Sequence, residues 1–190
     1  MMQDGRTDIS RKAGGLLTRL RELVAKQDRG ALAALRRGLS PATEHYAWPL
    51  LAGWGVDLTR ERERIIHLVV AGCYAEHPEE ASEGNLGTTA HRIATDKGGG
   101  EDGLKSFDAR FRRLLICGNV GELSERVPPI VRAAKARGVP VNYHRLFKDM
   151  WFWGERSKLD WAQAFWGVDA DAELAVAPAD SPPTAPGGGQ

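Results

Sequence analysis

Arginines grouped at helical spacing are the residues of this sequence best suited to chemistry, and what they suit is holding phosphate. Arg36 and Arg37 are adjacent, and Arg110, Arg112 and Arg113 fall within one turn. Arg132 and Lys135 are three residues apart, as are Arg145 and Lys148. A guanidinium is a planar, permanently charged donor that matches phosphate oxygens, and such contacts grip a nucleic-acid backbone without reading its bases. Charge is sorted along the chain to the same effect. Leu104 to Met150 holds ten Lys or Arg against four Asp or Glu, and Gly5 to Ser40 holds nine against three. Asp57 to Gly103 runs five against ten, and Trp151 to Gln190 two against six. A formal net charge of +1 therefore hides two basic blocks that can fold into a positive face. The competing account is that helices simply carry solvated arginines on their outer sides.

The other reactive side chains form no catalytic pattern. His67, Cys73 and His77 lie on or just after one predicted helix, at spacings that match no zinc signature, so His67 reads as a core or boundary residue. GxSxG, HExxH and a Walker lysine are all absent. The run Gly84-Asn85-Leu86-Gly87-Thr88-Thr89 faintly resembles a phosphate loop but lacks the preceding strand and the GK[ST] ending, and reads as a helix cap. Glu79, Glu80 and Glu83 read as a solvated acidic turn. Trp151-Phe152-Trp153 and Trp161, Phe165 and Trp166 suit base stacking in principle, yet their helical spacing assigns most of them to the core. The expectation is a protein with no enzymatic activity, no metal and no cofactor.

Positioning these residues falls to helices. Leu16, Leu17, Leu20 and Val24 recur at helical spacing, and Asp28 caps a short helix with Leu32, Leu35 and Leu39, closed by Pro41. Thr43 to Trp54 reads as a short helix broken or kinked at Pro49. Thr59 is the expected cap of a helix with acidic residues in its first turn and Ile65, Ile66, Val69, Val70 and Cys73 beyond; its apolar girth makes it central. Asn85 starts the next helix. Leu104, Phe107, Phe111, Leu114 and Leu115 form one stripe, flanked by Lys105, Arg110 and Arg112, with Arg113 pointing directly away. Asn119 begins a helix bent or interrupted at Pro128–Pro129 and ended by Gly138, with Arg132 and Lys135 on its polar side. Pro140 and Asn142 start a helix with Tyr143, Leu146, Phe147 and Met150 inward and Arg145 and Lys148 outward. A last helix carries Leu159, Trp161, Ala162 and Phe165. No period-2 strand and no repeat is evident.

The predicted fold is all-α, as two small helical bundles without a sheet. Residues 1–10 are expected to be a flexible N-terminus, 11–96 a helical domain, 97–103 a glycine-rich linker, 104–167 a second helical domain, and 168–190 a disordered acidic Pro/Ala tail. Only Cys73 and Cys117 are present, without a CxxC pair, which suits a reducing compartment. No apolar run approaches the ~20 residues of a membrane span, and the polar start lacks a signal-peptide core. The chain is expected to be soluble, cytoplasmic and without a membrane partner.

The run FDARFRRLLICGNVGELSERVPPIVRAAKARGVPVNYHRLFKDMWFWG, followed by LDWAQAFWG, closely resembles the small subunit of the type I-E CRISPR Cascade complex, the CasB family. DRGALAALRRGLSPATEHYAWPLL and GNLGTTAHRIAT are similar to that family too, so the resemblance spans Leu16 to Gly167. It implies a non-catalytic, all-helical, two-domain subunit acting in antiviral defence. Two copies would lie head to tail along the belly of the complex, against the helical backbone subunits and the large subunit that reads the PAM. The implied role is to stabilise the R-loop, holding target DNA paired to crRNA and giving the displaced non-target strand a path. On this resemblance Arg36 and Arg37, Arg110, Arg112 and Arg113, Arg132 and Lys135, and Arg145 and Lys148 fall on the family's basic helices, as candidates to contact nucleic acid. The alternative it leaves open is a protein–protein scaffold without direct nucleic-acid contact. Pro128–Pro129, the glycine-rich 97–103 stretch and the acidic tail depart from the family pattern.

Overall fold

Short polar side chains fix where several helices begin. The Asp28 carboxylate accepts from the Ala31 amide, Asn119 from Glu122 and Asn142 from Arg145, each supplying one of the partners that a helix's first turn lacks. Asn85 and Thr88 cap reciprocally, each side chain accepting from the other's backbone amide. Nine α-helices result among the described residues, 2–96 and 100–176 of this computed structural model. They are α1 (Met2–Ala25), α2 (Arg29–Arg37), α3 (Trp48–Gly53), α4 (Glu61–Glu76), α5 (Leu86–Thr95), α6 (Gly100–Leu115), α7 (Val120–Arg137), α8 (Tyr143–Trp151) and α9 (Glu155–Val176). A 3-10 turn, Glu44–Tyr46, precedes α3, and Pro49 sits in the first turn of α3, where its missing N–H costs nothing. Among the described residues there is no strand, only one isolated parallel bridge between Glu80 and Val141. No helix among them is long and apolar enough to cross a membrane.

Several boundaries differ from expectation, each for a local reason. Residues 2–10, expected to be flexible, belong to α1, and Ile9 is buried one turn ahead of Ala13. Thr59 does not cap α4; its hydroxyl donates to Asp57 at 2.6 Å, which leaves Arg60 at the cap position without a side-chain cap bond. Residues 100–103 of the expected linker form the first turn of α6, while 97–99 lie outside the described residues. Helix α9 continues through Val176 on a stretch containing three alanines, the best helix former; 177–190 lie outside the described residues. Pro128 and Pro129 do not interrupt α7. Only two backbone donors are lost, and Leu123, Val127, Pro128, Ile130, Val131 and Ala134 bury the helix on both sides of them.

Helix α4 is the centre. It is buried from Ile66 through Ala75 and packs against α2, α7 and α8, while α5 packs against α6 and α9. Helices from both sides of the glycine-rich stretch thus contribute to one buried cluster, which runs from Ile9 to Phe165, and the packing does not divide there. Gly72 and Gly87 set close approaches. A methyl on Gly72 would meet Leu39 and the Leu35 carbonyl, and one on Gly87 would overlap the backbone of Trp161 where α5 crosses α9. The second contact, with Asn85 Nδ2 donating to the Asp160 carbonyl at 3.0 Å, covers the start of α5 and makes residues 84–89 a packed cap.

Buried histidines serve the core. His67 Nδ1 is 2.7 Å from the Glu63 carbonyl, its ring lies edge-on to Phe147, and burial pushes its pKa below the usual imidazole value. His77 Nε2 is 2.8 Å from the Val139 carbonyl. Near the surface, Arg21 of α1 donates from Nε and Nη2 to both oxygens of Glu80, at 2.8 and 2.6 Å, and the Tyr74 hydroxyl donates to the same carboxylate at 2.9 Å. The Arg21 hydrogen bonds hold Glu80 below the usual carboxylate range, against the opposing effect of burial. A carboxylate with a lowered folded pKa stabilises fully above its unfolded value and loses that contribution as pH falls through the folded one. Glu80→Gln should therefore cost about 1 kcal/mol near neutrality, with the gap to wild type closing as pH falls below the ordinary glutamate value and through the lowered folded one. Urea midpoints of the two proteins across that range check this.

Candidate nucleic-acid interface

Helices α6 and α7 bring four arginines to one groove. On α6 the stripe of Phe107, Phe111 and Leu114 faces the core, where Phe111 stacks on Phe165 with ring centroids 4.2 Å apart. That commitment leaves Arg110 exposed at the flank of the stripe and turns Arg113 away from it. On α7, burial of Val127, Ile130, Val131 and Ala134 leaves Arg126, Pro129 and Arg132 as one outward row, three residues apart at each step. Arg110, Arg113, Arg126, Pro129 and Arg132 together line a groove of about 280 Å³. Every charged residue lining it is an arginine. Glu76 reaches Arg132 from α4 at 3.7 Å, beyond hydrogen-bond distance, and Arg132 remains 54% exposed. Arg110 lies 5.3 Å over the Phe107 ring, which orients it without neutralising it.

Arg126 was not among the residues singled out from the sequence. An expected break at Pro128–Pro129 separates it from Arg132, and the three-residue row emerges only once the helix is continuous. The three-residue spacing of Arg126, Pro129 and Arg132 is the signal, and it is readable only if the helix is taken as unbroken.

The remaining sequence candidates are placed elsewhere. Arg112 donates to Asp108 at 2.6 Å and lies 4.8 Å over the Trp166 ring; its guanidinium holds the Asp108 carboxyl below the usual range. Arg36 donates to the Ala75 carbonyl in the last turn of α4, where the helix dipole favours a cation. Arg37 lies 5.0 Å over the exposed Tyr46 ring. Lys135 is exposed in the last turn of α7, outside the groove. Arg145 is not an outward cation. Its Nε donates to Asp149 at 2.7 Å and its Nη2 to Asp160 at 2.9 Å, joining α8 to α9. Lys148 shares a second polar groove with Arg145. Of the aromatic residues, Trp161 and Phe165 are fully buried, Trp151, Trp153 and Trp166 pack against the core, and Phe152 is exposed.

The fold and this groove define an all-helical protein with an arginine-lined face. The sequence pattern of the family described as CRISPR-associated protein Cse2 matches residues 31–166, from α2 into α9, and the chain belongs to that family of Cascade subunits. The fold is similar to a crystal structure of CasB from Thermus thermophilus, at 23% identity and a TM-score of 0.63, covering 82% of this chain and 97% of that one. It is also similar to a crystal structure of a Cse2-family CRISPR-associated protein from the same organism, at 25% identity and a TM-score of 0.61, with the same coverage. No curated protein sequence matches the chain.

Proposed function

We propose that this chain is a non-catalytic Cascade subunit that steadies the R-loop by gripping nucleic-acid backbone in the α6–α7 groove. The observation that carries this is the convergence of Arg110, Arg113, Arg126 and Arg132 on a groove whose charged lining is wholly positive. Four like charges held together cost folding energy through mutual repulsion, and phosphate is the ligand that relieves it. Backbone contacts suffice, because exchanging a DNA duplex for an RNA–DNA heteroduplex is nearly balanced and a few protein contacts tip it. The strands served are the crRNA-paired target and the displaced non-target strand. The protein partners are a second copy of the chain, the Cascade backbone subunits and the large PAM-reading subunit.

Exposed Ile116 and Leu159, at 77% and 60%, favour a second reading in which the chain mainly scaffolds its neighbours. One reconstitution separates the two. With Arg110, Arg113 and Arg126 changed to alanine, the proposal requires a complex that assembles normally by size exclusion but holds its R-loop for a shorter time. Failure of assembly itself puts the scaffold reading ahead.

A further inference from the structure

A second groove, built by α1, α8 and α9, gathers cations around an exposed aromatic ring. It has a volume of about 270 Å³, and Arg6, Lys148, Phe152 and Arg156 line it beside the Arg145–Asp149–Asp160 cluster. Those two aspartates are engaged by Arg145, whose charge is thereby spent within the fold. Arg6, Lys148 and Arg156 have no ion-pair partner among the described residues, and Arg6 and Arg156 are exposed. Arg156 stands in the first turn of α9, where the helix dipole disfavours a cation, so helix stability does not account for it. Phe152 is 42% exposed although Trp151 and Trp153 on either side pack against the core. Arg6 lies 5.9 Å over its ring, at the outer limit of a cation–π contact.

The geometry points to a nucleotide subsite: one unpaired base of a single strand stacks on Phe152, with its flanking phosphates on Arg6, Lys148 and Arg156. An exposed ring with a π-face accepts any base, and cations around it match the phosphates, the combination used by sequence-independent single-strand binders. Arg6 gives up its weak ring contact to the base and keeps its charge for the phosphate. Arg145 offsets one of the two aspartate charges, and with Arg6, Lys148 and Arg156 the cations of the lining still outnumber its carboxylates, four to two. This subsite uses none of the residues of the α6–α7 groove, so the two stand or fall separately.

The test measures anisotropy of the full chain with fluorescein-labelled oligothymidylate at low salt, beside the same strand with abasic sites in place of its bases. Phe152→Ala is expected to weaken oligothymidylate about fivefold, the low end of base–aromatic stacking, and to leave the abasic strand unchanged. Arg156→Ala is expected to weaken both strands. Phe152→Leu, which keeps apolar bulk and lacks the π-face, should match Phe152→Ala in binding and wild type in melting temperature. The subsite is overturned if Phe152→Ala binds oligothymidylate like wild type, if it weakens both strands equally, if Phe152→Leu restores binding, or if the intact chain binds neither strand. If the triple change of Arg110, Arg113 and Arg126 leaves R-loop lifetime unchanged in intact Cascade while the Phe152 pattern holds, the α6–α7 reading falls and this subsite stands.

Discussion

Cascade carrying Arg110→Ala, Arg113→Ala and Arg126→Ala in this chain should lose its R-loop faster than wild type, and its R-loop stability should depend less steeply on salt. Each phosphate contact to a single strand releases close to one counterion and contributes about −0.7 to the slope of log affinity against log salt. Three lost contacts flatten that slope by about two. The wild-type advantage should then shrink by roughly 15- to 20-fold as salt rises fourfold, from about 50 to about 200 mM. R-loop dissociation followed at several salt concentrations measures it. A salt-independent loss would place the effect in assembly or folding. Arg112 is held by Asp108 and Trp166, so Arg112→Ala should leave the salt slope nearly unchanged.

Arg145→Ala should act on stability, where the sequence places this residue among the nucleic-acid contacts. Asp149 is 5% exposed and accepts from Arg145 Nε and from Trp161 Nε1, each at 2.7 Å. Burial already raises the Asp149 pKa, with the Trp161 and Arg145 hydrogen bonds pulling the other way. Removing Arg145 strands a buried carboxylate on one neutral donor and also frees Asp160. Breaking a fully buried pair costs about 3–5 kcal/mol, and partial exposure of Arg145 lowers that to about 2–3. For a chain of this size that is a fall in melting temperature of roughly 5–10 °C. A carboxylate whose folded pKa is raised destabilises above its unfolded value and is relieved as it protonates, so the loss should ease as pH falls through the raised value. Thermal melts of wild type and variant at neutral and acidic pH provide the check; equal melting temperatures would return Arg145 to the binding surface.

How far the sequence carries follows from these same residues. Caps at Asp28, Asn85, Asn119 and Asn142, the left-handed stop at Gly138 and the apolar stripe of α6 are local signals, and each appears in the structure as its chemistry dictates. Asp108 lies four residues before Arg112 and Asp149 four after Arg145, so half of the internal pairing was already visible as helix-spaced ion pairs. Asp160, fifteen residues from Arg145 and on another helix, was not, because nothing local announces where α9 returns against α8. The groove itself was illegible for the same reason. Arg110 and Arg126 meet only through the packing of α6 beside α7, and the proline pair conceals that α7 is one helix. Helix ends at both termini were missed where weak propensity is supported by a buried contact such as Ile9, or by alanine content such as that of residues 168–176.

Contact between the α6–α7 groove and nucleic acid can be read directly. A photo-crosslinking amino acid introduced at position 126, in Cascade assembled around crRNA and bound to target DNA, should join this chain to a DNA or RNA strand on irradiation. The yield should drop when target DNA is withheld. Crosslinks only to neighbouring protein subunits, at equal yield with and without target, would rule out nucleic-acid contact there and make the arginine face a protein interface.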